Sequence, residues 1–273
     1  MNQTTKDYVA EHYSEINSYL QTLYENIFDA DSIESHIKDY LGFTFADQVA
    51  PLVARQVPEG GKVLDIGCGF GSFVLAARRL GIDASGVEMA SFEVDFAKRR
   101  IQHEMPDCDP DKIYSCADAR TLDIKQNSQD AVTFWNVLEH IEECESVLAY
   151  ASEILRPGGL VYIICPNYFS FRNEAHYQVP WFPLMPRWIA NRYLRWKGKD
   201  PKYFEESIFY TTNWGVLNSL RKIGFEAFDL GMTIPLSFKF NLRTVHYWLR
   251  YPHYIFKLYN PFVGSVVLAA RKK

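Results

Sequence analysis

Cysteine is scarce in this chain, and its spacing excludes the simplest cysteine-based sites. The number of cysteines is odd, they are widely scattered, and no two of them form a Cys-x-x-Cys pair. This pattern argues against a disulfide framework and against a structural zinc site. The cysteines are Cys68, Cys108, Cys116, Cys144 and Cys165.

Long apolar runs are also missing. No stretch approaches the roughly 20 apolar residues that cross a bilayer. The amino-terminal sequence MNQTTKDYVAEHY has no basic start followed by an apolar run, so we expect a cytoplasmic protein. The formal net charge is −4 and no nucleic-acid-binding module is recognisable, so nucleic acid is not an expected partner.

What the chain does contain is the composition of a globular protein. With 48% hydrophobic and 23% charged residues, it differs from disordered and fibrous sequences. A length of 273 residues is enough to bury one substantial core. We predict a single domain over residues 1–273 that carries two insertions.

Hydrophobic periodicity predicts amino-terminal helices followed by alternating strands and helices. Apolar residues such as Ile16 and Leu20 recur at helical spacing through the segment 1–57. Short β-branched runs then alternate with helical stretches, which is typical of an α/β fold with a parallel sheet. The predicted strands of this core, residues 61–165, are 62–66, 84–88, 112–116, 131–135 and 160–165.

Glycine marks the predicted ends of the connecting helices. Gly81 follows the first of them, and Pro157-Gly158-Gly159 is expected to end a helix that includes Ile154 and Leu155.

After the fifth strand the alternation of strands and helices stops. The remaining segments are an insertion at 166–206, sheet-completing segments at 207–230 and 265–272 with a helix at about 213–223, and a second insertion at 231–264.

A glycine-rich loop follows the first predicted strand. Val63–Ile66 leads directly into the sequence GCGFG at 67–71 and then into a helical run. Such a loop lets the backbone approach a ligand where side chains would clash. We expect Gly67 and Gly69 to bring backbone amides to the ligand, with Asp65 orienting the ligand directly or through water.

Polar residues also stand at the ends of the next three strands, where open α/β sheets bind ligands. Glu88 closes the second strand, where a carboxylate can accept both hydrogen bonds of a ribose diol. Asp118, past the third strand, is placed to accept a hydrogen bond from an adenine amino group, and Asn136 follows the fourth. The predicted cofactor-binding residues are Asp65, Gly67, Cys68, Gly69, Gly71, Glu88, Met89, Asp118, Ala119 and Asn136.

Five segments between about residues 60 and 167 resemble, in order and spacing, the motifs of class I S-adenosylmethionine-dependent methyltransferases. They are VLDIGCGFG, GVE, CADA, DAVTFWNVLEHI and LRPGGLVYIICPN. The resemblance implies a Rossmann-like, doubly wound seven-stranded sheet whose last strand is antiparallel. It also implies S-adenosylmethionine as cofactor, methyl transfer to a nucleophile, and insertions that form a cap on the acceptor side.

Other interpretations of these motifs stay open. The glycines can serve a tight turn, Glu88 can be a solvated strand end, and Asp118 can cap a helix. A nicotinamide-dependent dehydrogenase also combines a glycine loop with an acidic residue, but its pattern is G-x-G-x-x-G, whereas this loop is G-x-G-x-G preceded by Asp65. A binding module that keeps the fold without turnover is the third alternative.

His140 is one candidate for the base that a hydroxyl acceptor needs. It lies in NVLEHIEE after the fourth strand, a stretch that resembles ubiquinone-pathway O-methyltransferases, in which E-x-x-E-H can bind a divalent metal. Glu139 and His140 match that pattern, but Asn136 replaces the first carboxylate, so we predict no metal. The alternative role of His140 is a hydrogen bond within the fold.

His176 is the candidate that we rank first. It lies in PNYFSFRNEAHYQVPW at the start of the first insertion, and this stretch is similar to methyltransferases acting on sugars and surface glycans. Packing within the loop is its alternative role. The expected acceptor is therefore a small molecule or glycan intermediate, lipid-linked or anionic through a nucleotide diphosphate. A quinone-like phenol is the alternative acceptor.

Both insertions interleave basic and aromatic residues. In the second, basic side chains recur at steps of three and four, although Pro252 argues for a kink. Such a helix is suited to an anionic membrane surface, here the inner face, or to a phosphate-bearing acceptor; a solvated face over packed aromatics is the alternative. The stripe of the second insertion comprises Arg243, His246, Arg250, His253 and Lys257.

Overall fold

The computed structural model describes residues 8–25, 27–28, 30–233, 235–236 and 263–273. Most of the second insertion, with the basic stripe of Arg243 to Lys257, lies outside the described residues. The chain divides into two compact units, Met1–Leu122 and Asp123–Lys273. No helix in the described ranges has the length and apolar character needed to cross a membrane.

The first unit begins with helices, as the periodicity predicts. Ile16, Leu20 and Leu41 are buried together with Phe96 of a later helix, so this amino-terminal segment is part of a shared apolar core. The helices are α1 (Tyr13–Leu23), α2 (Ala30–His36), a π-helical turn (Ile37–Leu41) and α3 (Ala46–Ala54).

The rest of the first unit alternates strands and helices. The first strand has the predicted bounds, whereas the third begins at Tyr114 rather than at residue 112. The reason is local, because the Asp109 side chain accepts a hydrogen bond from the Asp111 amide and caps a short helix over residues 110–113. The elements are β1 (Lys62–Ile66), α4 (Ser72–Arg79), β2 (Asp83–Glu88), α5 (Ser91–Glu104), α6 (Pro110–Ile113) and β3 (Tyr114–Cys116).

The second unit opens with β4 (Gln129–Trp135), α7 (Cys144–Ile154) and β5 (Leu155–Pro166). The prediction that the helix includes Leu155 and that β5 starts at residue 160 is wrong. Leu155 already pairs with Gln129, and the ladder resumes at Leu160 after a register shift. Gly158 lies in that irregular stretch with φ +78°, a conformation that suits glycine.

The first insertion contains a two-stranded ribbon and two helices, and the chain then returns to the sheet. The returning helix and the final strand match their predictions, and the final strand is antiparallel to both of its neighbours. The elements are β6 (Arg172–Asn173), β7 (Pro180–Trp181), α8 (Arg187–Trp196), α9 (Lys202–Ser207), α10 (Asn213–Lys222), β8 (Phe225–Asp229), β9 (Pro235–Leu236) and β10 (Ser265–Lys272).

The sheet order is β3-β2-β1-β4-β5-β10-β8-β9. Neighbouring pairs among β1 to β3, and the pair of β4 with β5, are parallel, whereas β10 is antiparallel. This confirms the predicted α/β fold with seven main strands and an antiparallel last strand. The two-residue strand β9 adds one short strand at the edge beside β8.

Candidate active site

The loop between β1 and α4 requires glycine at three positions. Gly67, Gly69 and Gly71 have φ values of +71°, +49° and +74°, a region that residues with a Cβ rarely adopt. At position 71 a Cβ would also stand 2.5 Å from the Tyr114 hydroxyl, which donates to the Gly71 carbonyl at 3.1 Å. As a result, every second residue of the loop 67–71 has no side chain.

The amides of this loop are bonded to the end of β2 in the structure. The Gly67 and Cys68 amides donate to the Val87 carbonyl at 2.8 and 3.1 Å. The Gly69 amide donates to Glu88 Oε2 at 3.3 Å, and Asp65 beside the loop is buried. The amides of Gly67 and Gly69, which were expected to reach a ligand, therefore already have acceptors on β2 in this structure, and the loop is tied to that strand.

The Glu88 carboxylate stands at the predicted strand end and is fixed by backbone donors. Its Oε1 accepts from the amides of Met89 at 2.6 Å and Ala90 at 3.0 Å, so the carboxylate is oriented by three amides in all. The side chain of Met89 is 72% exposed. A carboxylate held in this way has a fixed direction in which it can accept further hydrogen bonds from a diol.

Asp118 acts as a helix cap, the alternative role considered from its sequence position. Its side chain accepts from the Arg120 amide at 2.9 Å and from the Arg120 guanidinium, with Nη2 to Oδ2 at 2.6 Å. These side-chain and backbone hydrogen bonds lower the pKa of Asp118. The capped 3-10 turn, Ala119–Thr121, begins with the buried Ala119.

Taken together, these residues of the first unit fit a nucleoside cofactor with a cationic amino-acid part. The glycine turn has no room for a Cβ at position 71, and the carboxylates of Glu88 and Asp118 can accept further hydrogen bonds from hydroxyl and amino groups. Asn136 of the second unit follows β4 with φ +58°, and its amide donates to the Ile164 carbonyl at 2.7 Å.

The two candidate bases lie side by side within the second unit. The ring centroids of His140 and His176 are 5.0 Å apart, and the Tyr203 ring lies 5.4 Å from His176 and 6.2 Å from His140. The two histidines come from different elements, the 3-10 turn Leu138–His140 after β4 and the loop between β6 and β7. The structure thus brings together two side chains that are 36 positions apart in sequence.

Each histidine has a partner that fixes its tautomer. His176 Nδ1 lies 3.1 Å from Glu174 Oε1, and His140 Nδ1 lies 2.6 Å from the Ser207 carbonyl oxygen. Since an ionised carboxylate and a carbonyl can only accept hydrogen bonds, both Nδ1 atoms carry the proton. In each ring Nε2 is therefore the atom that can accept a proton from another molecule.

Glu174 is a buried carboxylate that collects four donors. Besides His176 Nδ1 it accepts from the Tyr168 hydroxyl and from the amides of His176 and Tyr177, each at 2.7 Å. Burial alone would raise the pKa of Glu174, but the hydrogen bonds and the charge of His176 lower it to about 2. Glu174 is thus ionised at neutral pH.

In contrast to Glu174, His140 and Glu139 are kept in their neutral forms by burial. Burial, followed by the charge of the neighbouring His176, lowers the pKa of His140 to about 4, so this imidazole is neutral near pH 7. Burial raises the pKa of Glu139 to about 8, and its Oε2 has no hydrogen-bond partner. Within the described ranges, no group of three or more histidine, cysteine or acidic side chains is arranged to hold a metal ion.

The sequence interpretation missed Glu174 and Tyr203 as members of this cluster. A signal for Glu174 was available, because it stands two positions before His176 in the sequence NEAH. Nothing local indicates Tyr203, which reaches the histidines through the fold of the first insertion.

The comparisons with known proteins agree with this architecture. Residues 64–163 match a family described as methyltransferase domain. A ubiquinone biosynthesis O-methyltransferase of Nitrosococcus oceani is 30% identical over 108 residues, which are 40% of this chain and 44% of the relative. The chain thus spans about half the length of the curated relatives it matches.

Solved structures are similar in fold to most of this chain. A S-adenosylmethionine-dependent methyltransferase from Mesorhizobium loti has a TM-score of 0.52 at 20% identity, covering 85% of this chain and all of the other. Geranyl diphosphate C-methyltransferase from Streptomyces coelicolor, solved with Mg²⁺, geranyl diphosphate and S-adenosyl-L-homocysteine, has a TM-score of 0.52 at 17% identity, covering 85% and 80% of the two chains. Residues 64–163 thus match a methyltransferase domain, and the chain shares the fold of S-adenosylmethionine-dependent methyltransferases of known structure.

Proposed function

We propose that this chain methylates a hydroxyl group of a sugar or glycan intermediate, with His176 as the general base. The observation that carries the proposal is the pair of His176 with the ionised Glu174. A sugar hydroxyl is a weak acid, so its oxygen becomes a better nucleophile when a base removes the proton as it reacts. His176 has the orientation and the carboxylate partner that this task requires.

The division of roles within the cluster follows from the electrostatics. S-adenosylmethionine supplies a methyl group that its sulfonium sulfur already activates. His176 Nε2 accepts the hydroxyl proton, and the Glu174 carboxylate stabilises the resulting imidazolium through Nδ1. His140 lacks a carboxylate at Nδ1 and its pKa is lowered to about 4, so it stays neutral and acts as a hydrogen-bonding neighbour.

The similarity of the stretch around His176 to methyltransferases acting on sugars and surface glycans supports an acceptor rich in hydroxyl groups. The alternative is a quinone-like phenol, for which the name of the Nitrosococcus oceani relative is the support.

The acceptor class can be tested with the purified chain and S-adenosylmethionine that carries a labelled methyl group. We expect label in nucleotide-linked or lipid-linked sugars, and none in hydroxylated quinone precursors. Label confined to the phenolic acceptors would favour the alternative. Label in neither set, with the cofactor bound, would contradict both acceptor classes while leaving the family unaffected.

We further propose that helix α8 contacts an anionic membrane surface, where a lipid-linked acceptor would reside. Ala190 and Leu194 are buried on one face, whereas Trp188 and Trp196 are 68% and 75% exposed. The stretch 175–199 has no acidic residue and five basic ones. Exposed tryptophan beside arginine and lysine suits the interface of a bilayer with negatively charged lipids.

Sedimentation with vesicles tests this contact. The chain should bind vesicles of phosphatidylglycerol and phosphatidylcholine but not of phosphatidylcholine alone, and Trp188→Ala/Trp196→Ala should weaken binding. Trp214→Ala is the matched control, because Trp214 is 51% exposed on α10 and stacks on Phe169 instead. Equal binding by all three proteins, or none by the parent, would contradict the proposal.

A further inference from the structure

Glu93 is a carboxylate beside the glycine loop to which the sequence interpretation gave no role. It lies in the first turn of α5, and its Oε1 accepts a hydrogen bond from the Tyr19 hydroxyl of α1 at 3.1 Å. Its Oε2 would be 3.2 Å from a Cβ added to Gly69. Glycine at position 69 therefore leaves room for this carboxylate at the edge of the loop.

A second carboxylate lies at the same place. The Gly69 amide donates to Glu88 Oε2 at 3.3 Å, so the side chains of Glu88 and Glu93 both reach residue 69. Burial, and then the charge of Glu88, raise the pKa of Glu93 to about 7, while the Tyr19 hydrogen bond lowers it. The loop is therefore bordered by negative charge that a cation would stabilise.

The lysine and the two arginines of α5 are paired with other residues. Lys98 pairs with Asp111 at 2.7 Å, Arg99 pairs with Glu15 at 2.9 Å, and the buried Arg100 pairs with Glu104 at 3.5 Å. None of these ion pairs includes Glu93. These three cations of α5 thus do not balance Glu93 and Glu88, and a cationic ligand is suited to supply that positive charge.

We propose that Glu93 is a cofactor-binding residue that recognises positive charge on S-adenosylmethionine. This inference rests on the proposed function, because it takes the loop at 67–71 as the cofactor site. The cofactor has two cationic groups, the sulfonium sulfur and the amino-acid ammonium, and a carboxylate suits either. Tyr19 is a positioning residue, because it holds Glu93 Oε1 and stacks on Phe92 with the rings 4.2 Å apart.

Binding of a cation should be linked to the protonation of Glu93. The groups facing its carboxylate are the Tyr19 hydroxyl of α1, the Glu88 carboxylate of β2 and the glycine loop. Below about pH 7 the carboxyl holds a proton that cation binding displaces, so affinity rises with pH and levels off above pH 8. Proton release on binding is the signature of this linkage.

Calorimetry with Glu93→Gln tests the inference without any measurement of activity. S-adenosylmethionine and S-adenosylhomocysteine, which has a neutral sulfur, are titrated at pH 6 and pH 8 in buffers of different ionisation enthalpy. For the parent we expect proton release at pH 6. For Glu93→Gln we expect about tenfold weaker binding at pH 8, as for the loss of one charge-assisted contact, and no proton release.

The two ligands distinguish the two cationic groups. Weakening for S-adenosylmethionine alone assigns Glu93 to the sulfonium, and equal weakening for both ligands assigns it to the ammonium. Asp95→Asn is the matched control, since it removes an exposed carboxylate from the same helix and should bind like the parent. Tyr19→Phe should move the pH dependence to higher pH, because the bond that lowers the Glu93 pKa is lost.

Two outcomes would overturn the inference. If Glu93→Gln binds both ligands like the parent at both pH values, Glu93 serves only the start of α5, where glutamine is equally suitable. If the parent itself binds neither ligand, the cofactor assignment of the proposed function fails and this inference fails with it. Weakened binding by Asp95→Asn to the same extent would also contradict a specific role for Glu93.

Discussion

The Glu174 carboxylate accepts a hydrogen bond from His176 Nδ1 at 3.1 Å within the buried part of the first insertion. Since three further donors hold the same carboxylate, one of them the backbone amide of His176, its position does not depend on the His176 ring. The His176 ring is therefore oriented by a fixed partner, and Nε2 is the atom left for chemistry.

Replacement of His176 should reduce turnover without changing cofactor affinity. We expect kcat to fall about 10²- to 10⁴-fold in His176→Ala, because a general base is removed. His176→Asn keeps some hydrogen bonding without a comparable base, so it should lose nearly as much. Steady-state kinetics with a saturating acceptor and calorimetry with the cofactor measure the two effects. Parental turnover in both variants would make His176 structural and His140 the leading base.

Glu174→Gln should affect both turnover and acid stability. Turnover should fall by about 10²-fold or more, because the neutral amide stabilises the imidazolium poorly. The folded-state pKa of Glu174 is lowered to about 2, so its contribution to stability is present above about pH 4.5 and is lost as the pH falls towards 2. Urea unfolding at pH 3 and pH 6 should show this slope in the parent and a weaker slope in the variant. Equal slopes would contradict the ionised assignment.

The strands were the most predictable part of the fold. The bounds of β1 and β10 match their predictions. The parallel strand β1 is buried along most of its length and gives a continuous apolar run, and the antiparallel β10 is marked by its own apolar run. The predicted element bounds at residues 112 and 155 are wrong because of local features that hydrophobic periodicity does not show. A side-chain cap at Asp109 converts two strand residues to helix, and the bulge before Leu160 lets the strand start early.

Of the candidate site, only the residues at the ends of strands could be predicted from the sequence. Glu88 and Asp118 are found where topology places ligand contacts, but their hydrogen-bond partners are not visible in the sequence. The tautomer of His140 depends on the Ser207 carbonyl, 67 positions away, and Glu93 depends on Tyr19, 74 positions away. Such contacts arise from the packing of distant segments and carry no periodic signal.

Glu139 should make the stability of the protein fall as the pH rises through neutrality. Its folded-state pKa is raised to about 8, so the carboxyl contributes stability at low pH that is lost between about pH 4.5 and 8. Glu139→Gln should therefore be more stable than the parent at pH 9, by about 1–3 kcal/mol, the usual cost of an unsatisfied buried group. Urea titrations at pH 7 and pH 9 measure the difference. The exposed Glu142→Gln is the control, and equal behaviour of the two variants would contradict the assignment.

Turnover should not need a metal ion. Asn136 stands where the resembled E-x-x-E-H pattern has its first carboxylate, and an amide binds hard cations more weakly than a carboxylate does. Activity should therefore survive dialysis against EDTA. Loss of activity that Mg²⁺ restores would contradict this prediction and make Glu139 and His140 metal ligands.

The cofactor that binds at the loop 67–71 distinguishes a methyltransferase from a nicotinamide-dependent dehydrogenase. Isothermal titration calorimetry of the purified chain with S-adenosylmethionine and, separately, with NADH under the same conditions measures this choice. We predict saturable binding of S-adenosylmethionine with one site per chain and no measurable binding of NADH. Saturable binding of NADH without binding of S-adenosylmethionine would contradict the assignment of this protein as a methyltransferase.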